Sequence, residues 1–332
     1  MSAPAFKSIA EAALARSSLA RRLVYARSNR RLFSDFTQHD RMLADQVRVG
    51  AYKAGIAKHV AAGDVVIDLG TGTGVLAFLA ALRGAEVHAV EHSELIEVAQ
   101  AVAADNGLDN VEFHRTHSSK LDLGQRVDAI VHEQIGEAAY DERVVENMSD
   151  LRDRLLKDGG RIHPRWLDLY IEPVQLREDQ SFPFAWEQKV EGIDFRAIRR
   201  FASPTHRYMY KVLRPFPLDH FLCEPAPVVS IDLETDGPDD LPTSIAFDRP
   251  AVAGGQFEGF CVYFSTRFDD EVGFTSSPAS RETSWGNPLL RAESQPISPG
   301  DTISLRLTAA PLSRPSTWRW EWSREATVGR SA

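Results

Sequence analysis

The chain has 332 residues, 43% of them hydrophobic and 26% charged, with a net charge of −9. That composition is globular and long enough for one large domain or two moderate ones, and its acidic balance argues against nucleic-acid binding. There is no apolar run of about 18 residues and no signal-peptide core, which points away from a membrane. Two distant cysteines, Cys223 and Cys261, fit a reducing cytoplasm with no disulfide and no structural zinc.

Residues 1–34 carry Arg16, Arg21, Arg22, Arg27, Arg30 and Arg31 with little acid besides Glu11, on a helical apolar pattern through Ile9, Ala12, Ala13, Leu19 and Leu23. We read them as an arm helix continuing into the next segment; an organellar targeting peptide is the alternative. Val65–Leu69 is β-branched and apolar, which predicts a buried parallel strand. Gly70, Gly72 and Gly74 follow, then the helix former Val75–Leu82. Ala85–Val90 predicts the next strand and ends in Glu91. Glu94–Asn106 predicts a helix closed by Asn106-Gly107. Val111–Phe113 and Val127–His132 predict further strands, and Arg143–Lys157 a helix stopped by Asp158-Gly159-Gly160. This alternation predicts a doubly wound, Rossmann-like α/β sheet over residues 35–164.

The glycine turn between strand and helix suits a nucleotide-like ligand, because backbone and free helix amides can approach it closely. The dinucleotide fingerprint Gly-x-Gly-x-x-Gly fails at its last position, which is Val75. Asp68 would repel a pyrophosphate but tolerate an ammonium and a sulfonium. Glu91 at the following strand end can hold ribose hydroxyls. These features favour S-adenosylmethionine, with NAD and an oxidoreductase activity as the rival. Glu133 and Glu142 then bracket a short loop at another strand end, which suggests a cationic partner beside the nucleotide.

After Ile162-His163-Pro164 the pattern changes to short strands: Trp166–Ile171, Val228–Leu233, Gly259–Phe264, Thr302–Leu307 and Thr317–Trp322. They predict a β-barrel or sandwich over 165–332. Trp318, Trp320 and Trp322 alternate and so share one face. Residues 186–217 form an insertion of helical and basic character, including Arg196, Arg199, Arg200 and Arg207. No metal-ligand spacing is evident: His88 and His92 are four apart but straddle a strand end. Neither Gly-x-Ser-x-Gly nor a P-loop occurs.

The segment from His132 to Glu142, HEQIGEAAYDE, resembles the double-glutamate loop of the protein arginine methyltransferase family at Glu133, Gly136 and Glu142. Met42–Arg48 looks like that family's N-terminal helix over the cofactor, and Thr283-Ser284-Trp285 sits where the family carries Thr-His-Trp. The resemblance covers roughly Phe33 to Ala310. It implies that Met42 packs near the sulfonium, that Arg48 pairs with the cofactor carboxylate, and that Glu133 and Glu142 grip a guanidinium. It places Ser118 or Ser119 at an acidic adenine-contacting position, and Thr283, Ser284 and Trp285 at the acceptor pocket. It further implies a C-terminal barrel, a dimerisation arm at 186–217 and a homodimer.

The pocket departs from the family pattern. Ser284 replaces its histidine, Asn29 and Phe33 fall at its tyrosine positions, and Arg31 at an acidic one. The acceptor is therefore left as arginine in a protein or peptide, with free arginine or another small guanidino compound as alternative. A non-catalytic scaffold is a further rival.

Overall fold

The computed structural model describes residues 36–179, 181, 183–201 and 218–327. The arm helix expected over 1–34, with Asn29, Arg31 and Phe33, and the later part of the insertion, 202–217, lie outside them.

Two helices lead in, α1 (Phe36–Ala44) and α2 (Gln46–His59). The single helix expected over Met42–Arg48 is in fact the junction between them. Asp45 leaves the helical region at φ −72° and ψ 92°, and its Oδ1 accepts the Arg48 amide at 2.9 Å. An aspartate at that place satisfies one of the orphan donors of a helix start, so it ends one helix and begins another.

There follow β1 (Val65–Leu69), α3 (Val75–Ala81), β2 (Glu86–Glu91), α4 (Leu95–Asp105), β3 (Val111–Arg115), β4 (Val127–His132), α5 (Val144–Leu155) and β5 (Leu156–His163). The strands pair in the order β3-β2-β1-β4-β5, all parallel. Val66, Ile67, Val87, Ile130 and Val131 are fully buried, as a sheet covered on both faces requires. The last helix stops at Leu155, two residues earlier than predicted, because β5 begins at once and pairs Leu156 with Val127.

The second half is antiparallel: β6 (Trp166–Leu176), the short hairpin β7 (Lys189–Val190) and β8 (Ile193–Asp194), β9 (Leu218–Phe221), β10 (Val229–Asp232), β11 (Ser244–Pro250), β12 (Gly255–Arg267), β13 (Gly273–Thr275), β14 (Leu289–Ile297), β15 (Thr302–Thr308) and β16 (Arg319–Glu325). One sheet runs β10-β6-β12-β13 with β9 and β14 attached, and a second runs β11-β15-β16. Within the described part of the insertion the expected helical character is confined to 3₁₀ turns at Ala185–Glu187 and Arg196–Arg200. The three tryptophans pack inward: Trp322 lies tilted against Phe257 with ring centres 4.1 Å apart, Trp320 lies edge-on to Phe260, and buried Trp318 donates to the Leu312 carbonyl at 3.0 Å.

One hydrophobic core spans both halves. Tyr52 of α2 meets Phe268 edge-on at 5.2 Å and donates to the His132 carbonyl at 2.8 Å. Tyr140 of the glutamate loop donates to the Leu167 carbonyl on β6 at 2.7 Å. Arg152 on α5 donates to the carbonyls of Leu233 and Asp236. These contacts fasten the second half to the helix and loop beside the strand ends.

Candidate active site

The carboxyl ends of β1, β2 and β4 open into one cavity of about 500 Å³. Ligands of open α/β sheets bind at that edge. Its wall includes Met42 and Arg48 from the helix pair, Gly70 and Gly72 after β1, Glu91 ending β2, Ser118 after β3, and Glu133 and Glu142 after β4. Residues scattered over a hundred positions are gathered because each follows a strand end or lies on the helices that cross those ends.

The glycine turn is built for close approach. Gly70, Gly72 and Gly74 have φ of 75°, 53° and 97°, a region costly for side-chain-bearing residues. A Cβ on Gly72 would lie 3.0 Å from the buried His39 ring, itself part of the wall, so only a glycine leaves that approach clear. Glu91 accepts the Gly72 amide at 3.3 Å on one oxygen and the Ser93 amide at 2.8 Å on the other. Its carboxylate is therefore fixed at the cavity edge with lone pairs to spare for a diol.

Asp68 sits elsewhere than the sequence suggested. It is 1% exposed and lies beneath the turn, not in the cavity wall; its Oδ2 accepts the Thr71 hydroxyl at 2.5 Å and the Ala77 amide at 3.0 Å. It holds the turn against the start of α3. Burial pushes its carboxyl up to about 6, against those two hydrogen bonds. Gly74 caps α3 and also stays out of the wall. Of the two serines, Ser118 is buried in the wall, whereas Ser119 is exposed beside it and donates its amide to His117.

At the other end, Arg48 is 1% exposed and forms an ion pair with Glu133 through Nη1, while Nη2 donates to the Met42 carbonyl at 2.5 Å. Its Nε has no partner among the described residues, so donor capacity remains for a carboxylate. Burial raises the Glu133 carboxyl to about 7, against the pull of Arg48. The loop from Glu133 to Glu142 is tightly turned. Gly136 and Ala139 exchange backbone hydrogen bonds at 3.0 and 3.2 Å, and Ala139 and Arg143 take positive φ, 61° and 62°. Non-glycine residues held there mark a conformation enforced by its surroundings.

Thr283, Ser284 and Trp285 do not line the cavity. Ser284 and Trp285 brace it. The Ser284 amide donates to Asp45 Oδ2 at 2.7 Å, and Trp285 Nε1 donates to the Ile135 carbonyl at 2.7 Å. One segment of the second half therefore fixes both the junction before Arg48 and the loop after Glu133.

The wall also contains residues the sequence reading did not single out, His39, Leu43, Arg115, His117, Lys120, Gln134 and Asn147, and His92, which it weighed only as a metal ligand. Arg115 ends β3 and His117 and Lys120 follow it, so their place at the end of a parallel strand was the available signal. Asn147 donates to Gln134 at 2.8 Å across the loop and had none.

Residues 61–182 match the family described as methyltransferase domain, and residues 168–319 match the arginine methyltransferase oligomerization subdomain. The chain is 31% identical over 268 residues to protein arginine N-methyltransferase 6 of Danio rerio, covering 78% of this chain and 77% of that one. It is 28% identical over 291 residues to protein arginine N-methyltransferase 1 of Dictyostelium discoideum, covering 85% and 84%. Among solved structures, the fold resembles the Trypanosoma brucei PRMT1 enzyme-prozyme heterotetrameric complex with AdoHcy, with TM-score 0.75 and 22% identity over 89% of this chain and 99% of that one. It resembles Arabidopsis thaliana protein arginine methyltransferase 10 equally, with TM-score 0.75 and 22% identity over 90% and 96%.

Proposed function

From its membership of the protein arginine N-methyltransferase family, we propose that this chain methylates a guanidinium nitrogen of arginine in a protein or peptide, using S-adenosylmethionine. The observation that carries the reading is the single cavity with a glycine turn and Glu91 at one end and Glu133 with Glu142 at the other. The residues present fit the methyl donor: Arg48 for its carboxylate, the Gly70–Gly72 backbone along its length, Glu91 for its ribose hydroxyls and Ser118 beyond. Met42 offers a thioether side chain beside Arg48. When bound, the donor supplies a methyl group on a positively charged sulfur.

The rest is the work of the chain. A guanidinium has a pKa near ~13.8, so its nitrogens are poor nucleophiles unless charge is drawn toward the others. Two carboxylates, Glu133 and Glu142, can hold its planar fork and leave one nitrogen aimed along the cavity. Fixing the reacting atoms in line can supply ~7–11 kcal/mol of the barrier. The attacked nitrogen gains a methyl and sheds one proton. A Glu133 carboxyl near pH 7 is suited to accept it.

Our reading divides the chain into an arm at 1–34, a cofactor-binding half at 35–164 and a substrate half at 165–332. The match to an oligomerization subdomain supports self-association, and we read 186–217 as the dimerisation arm of a homodimer. No helix among the described residues is long and apolar enough to cross a membrane, and Cys223 and Cys261 are both buried free thiols, which supports a cytoplasmic setting.

The test is incubation with labelled S-adenosylmethionine and three acceptors: an arginine-rich peptide, free arginine and a lysine-rich peptide. Mass spectrometry should find methylated arginine in the first. Methylation of free arginine alone would move the acceptor to the small-molecule class, and no transfer to any guanidine would overturn the proposal.

A further inference from the structure

Away from the cavity wall, β2 and β3 bring together three side chains that no part of the reaction uses. In the parallel register His88 pairs with Glu112, and Val90 with His114. Side chains alternate along a strand, so His88, Glu112 and His114 share one face, with Glu86 two residues before His88 on the same side. We infer that His88, Glu112 and His114 form a binding site for a first-row divalent cation, Zn²⁺ in the first instance.

The donor geometry is that of a metal tripod. His88 Nδ1 lies 3.0 Å from His114 Nε2 and 3.3 Å from Glu112 Oε2, and His114 Nε2 is 3.7 Å from Glu112 Oε1. Ligands about 2.0–2.1 Å from a tetrahedral zinc are separated by about 3.3 Å, so small side-chain rotations suffice to place one ion among all three. Two imidazoles and one carboxylate are a zinc-type donor set that leaves a fourth position for water. Glu112 and His114 are 65% and 19% exposed in their side chains, which provides the entry path.

His88 supplies the second observation. It is 3% exposed, and its Nε2 is buried without a hydrogen-bond partner. Without a cation, either tautomer of His88 leaves Nε2 buried and unmatched, as a bare lone pair or as an unused donor. A buried polar atom left unmatched is costly. A cation on Nδ1 fixes the hydrogen on Nε2 and directs it toward Glu86 Oε1, 3.9 Å away. A ligating histidine commonly orients its second nitrogen toward a carboxylate in this way.

The ion would fasten the edge strand β3 to β2. Glu91 lies three residues beyond His88, and Arg115 directly follows His114; both line the cavity. Cation binding therefore stiffens the strand ends that carry the ribose-facing carboxylate.

The experiment uses the full chain, stripped with a chelator and titrated with ZnCl₂ by calorimetry, alongside Glu112→Gln/His114→Gln. Those two positions face solvent, so the variant can fold where a change at buried His88 could fail; circular dichroism checks this. One equivalent of Zn²⁺ should bind the wild type and raise its Tm, and both effects should be lost in the variant. Co²⁺ should give visible absorption bands in the wild type alone. Absence of Zn²⁺ binding to the folded wild type, or equal binding by the folded variant, overturns the site and leaves His88 and His114 as a simple hydrogen-bonded pair.

Discussion

Arg48 and Glu133 form an ion pair in the cavity wall, with side-chain exposures of 1% and 9%. In the proposed function Arg48 faces the donor's carboxylate and Glu133 the acceptor's guanidinium. The charge proposed to anchor one ligand would then also balance the carboxylate proposed to grip the other.

Removing one partner of a buried pair leaves the other uncompensated, at a cost of about 3 kcal/mol. Arg48→Ala should lose about that much in urea unfolding and should also weaken S-adenosylmethionine binding. Arg48→Lys should recover only part of either, because one ammonium cannot serve both Glu133 and the Met42 carbonyl with the same fork. An Arg48→Ala protein with unchanged stability and unchanged donor affinity would contradict the arrangement.

Glu133→Gln and Glu142→Gln should each reduce kcat by on the order of 10²-fold or more, since each removes charge that stabilises the transferring methyl and its acceptor. Donor affinity, measured by calorimetry with S-adenosylhomocysteine, should change little for Glu142→Gln. Wild-type turnover in either variant would remove that residue from the clasp.

The pH profile follows from burial. With its carboxyl at about 7, Glu133 of the free enzyme is neutral in acid and anionic in base. Only the anion grips a guanidinium, so kcat/KM for the arginine acceptor should rise about tenfold per pH unit below 7 and level off above it. Glu133→Gln should abolish that limb. A flat wild-type profile between pH 5 and 9 on the order of this range would count against the assignment.

Trp285→Phe keeps an aromatic ring but loses the hydrogen bond to the Ile135 carbonyl and part of the indole packed on Phe264 and Phe274. Stability should fall by about 1 kcal/mol for the bond, with a further loss for the packing. Because the bond fixes the glutamate loop, kcat should fall while donor affinity holds. Equal losses in both would show that the bond supports the whole cleft and not the loop.

Gly136→Ala puts a methyl group into the Asp141 carboxylate, which otherwise accepts the Ala138 amide at 3.0 Å. The loop must shift, carrying Glu142 with it. A large loss of kcat with a near-wild-type Tm is expected; full activity would mean that Glu142 is not held by this turn.

The strand–glycine–helix unit and the alternating strands after it were legible because each depends on neighbours in the chain. Val65–Leu69 is apolar throughout, and the turn after it needs glycines, whatever the rest of the molecule does. Glu133 and Glu142 were singled out by their resemblance to the family's double-glutamate loop, and both line the cavity. Asp45 was not recognised as a helix break, because Met42–Arg48 carries no glycine or proline. Thr283, Ser284 and Trp285 were expected at the acceptor pocket; outside the wall of the cavity, Ser284 and Trp285 support the helix junction and the glutamate loop, a role that spacing cannot express.

By itself, the sequence determined the local elements, the glycine turn and the order of the two halves. Those properties arise from backbone preference and apolar periodicity within a few residues. Only the tertiary structure decided that Asp68 sits beneath the turn, that Arg48 meets Glu133, and that His88 faces Glu112 and His114. Each of these depends on strand register or on packing between the halves, where free energy comes from contacts between residues far apart in the chain.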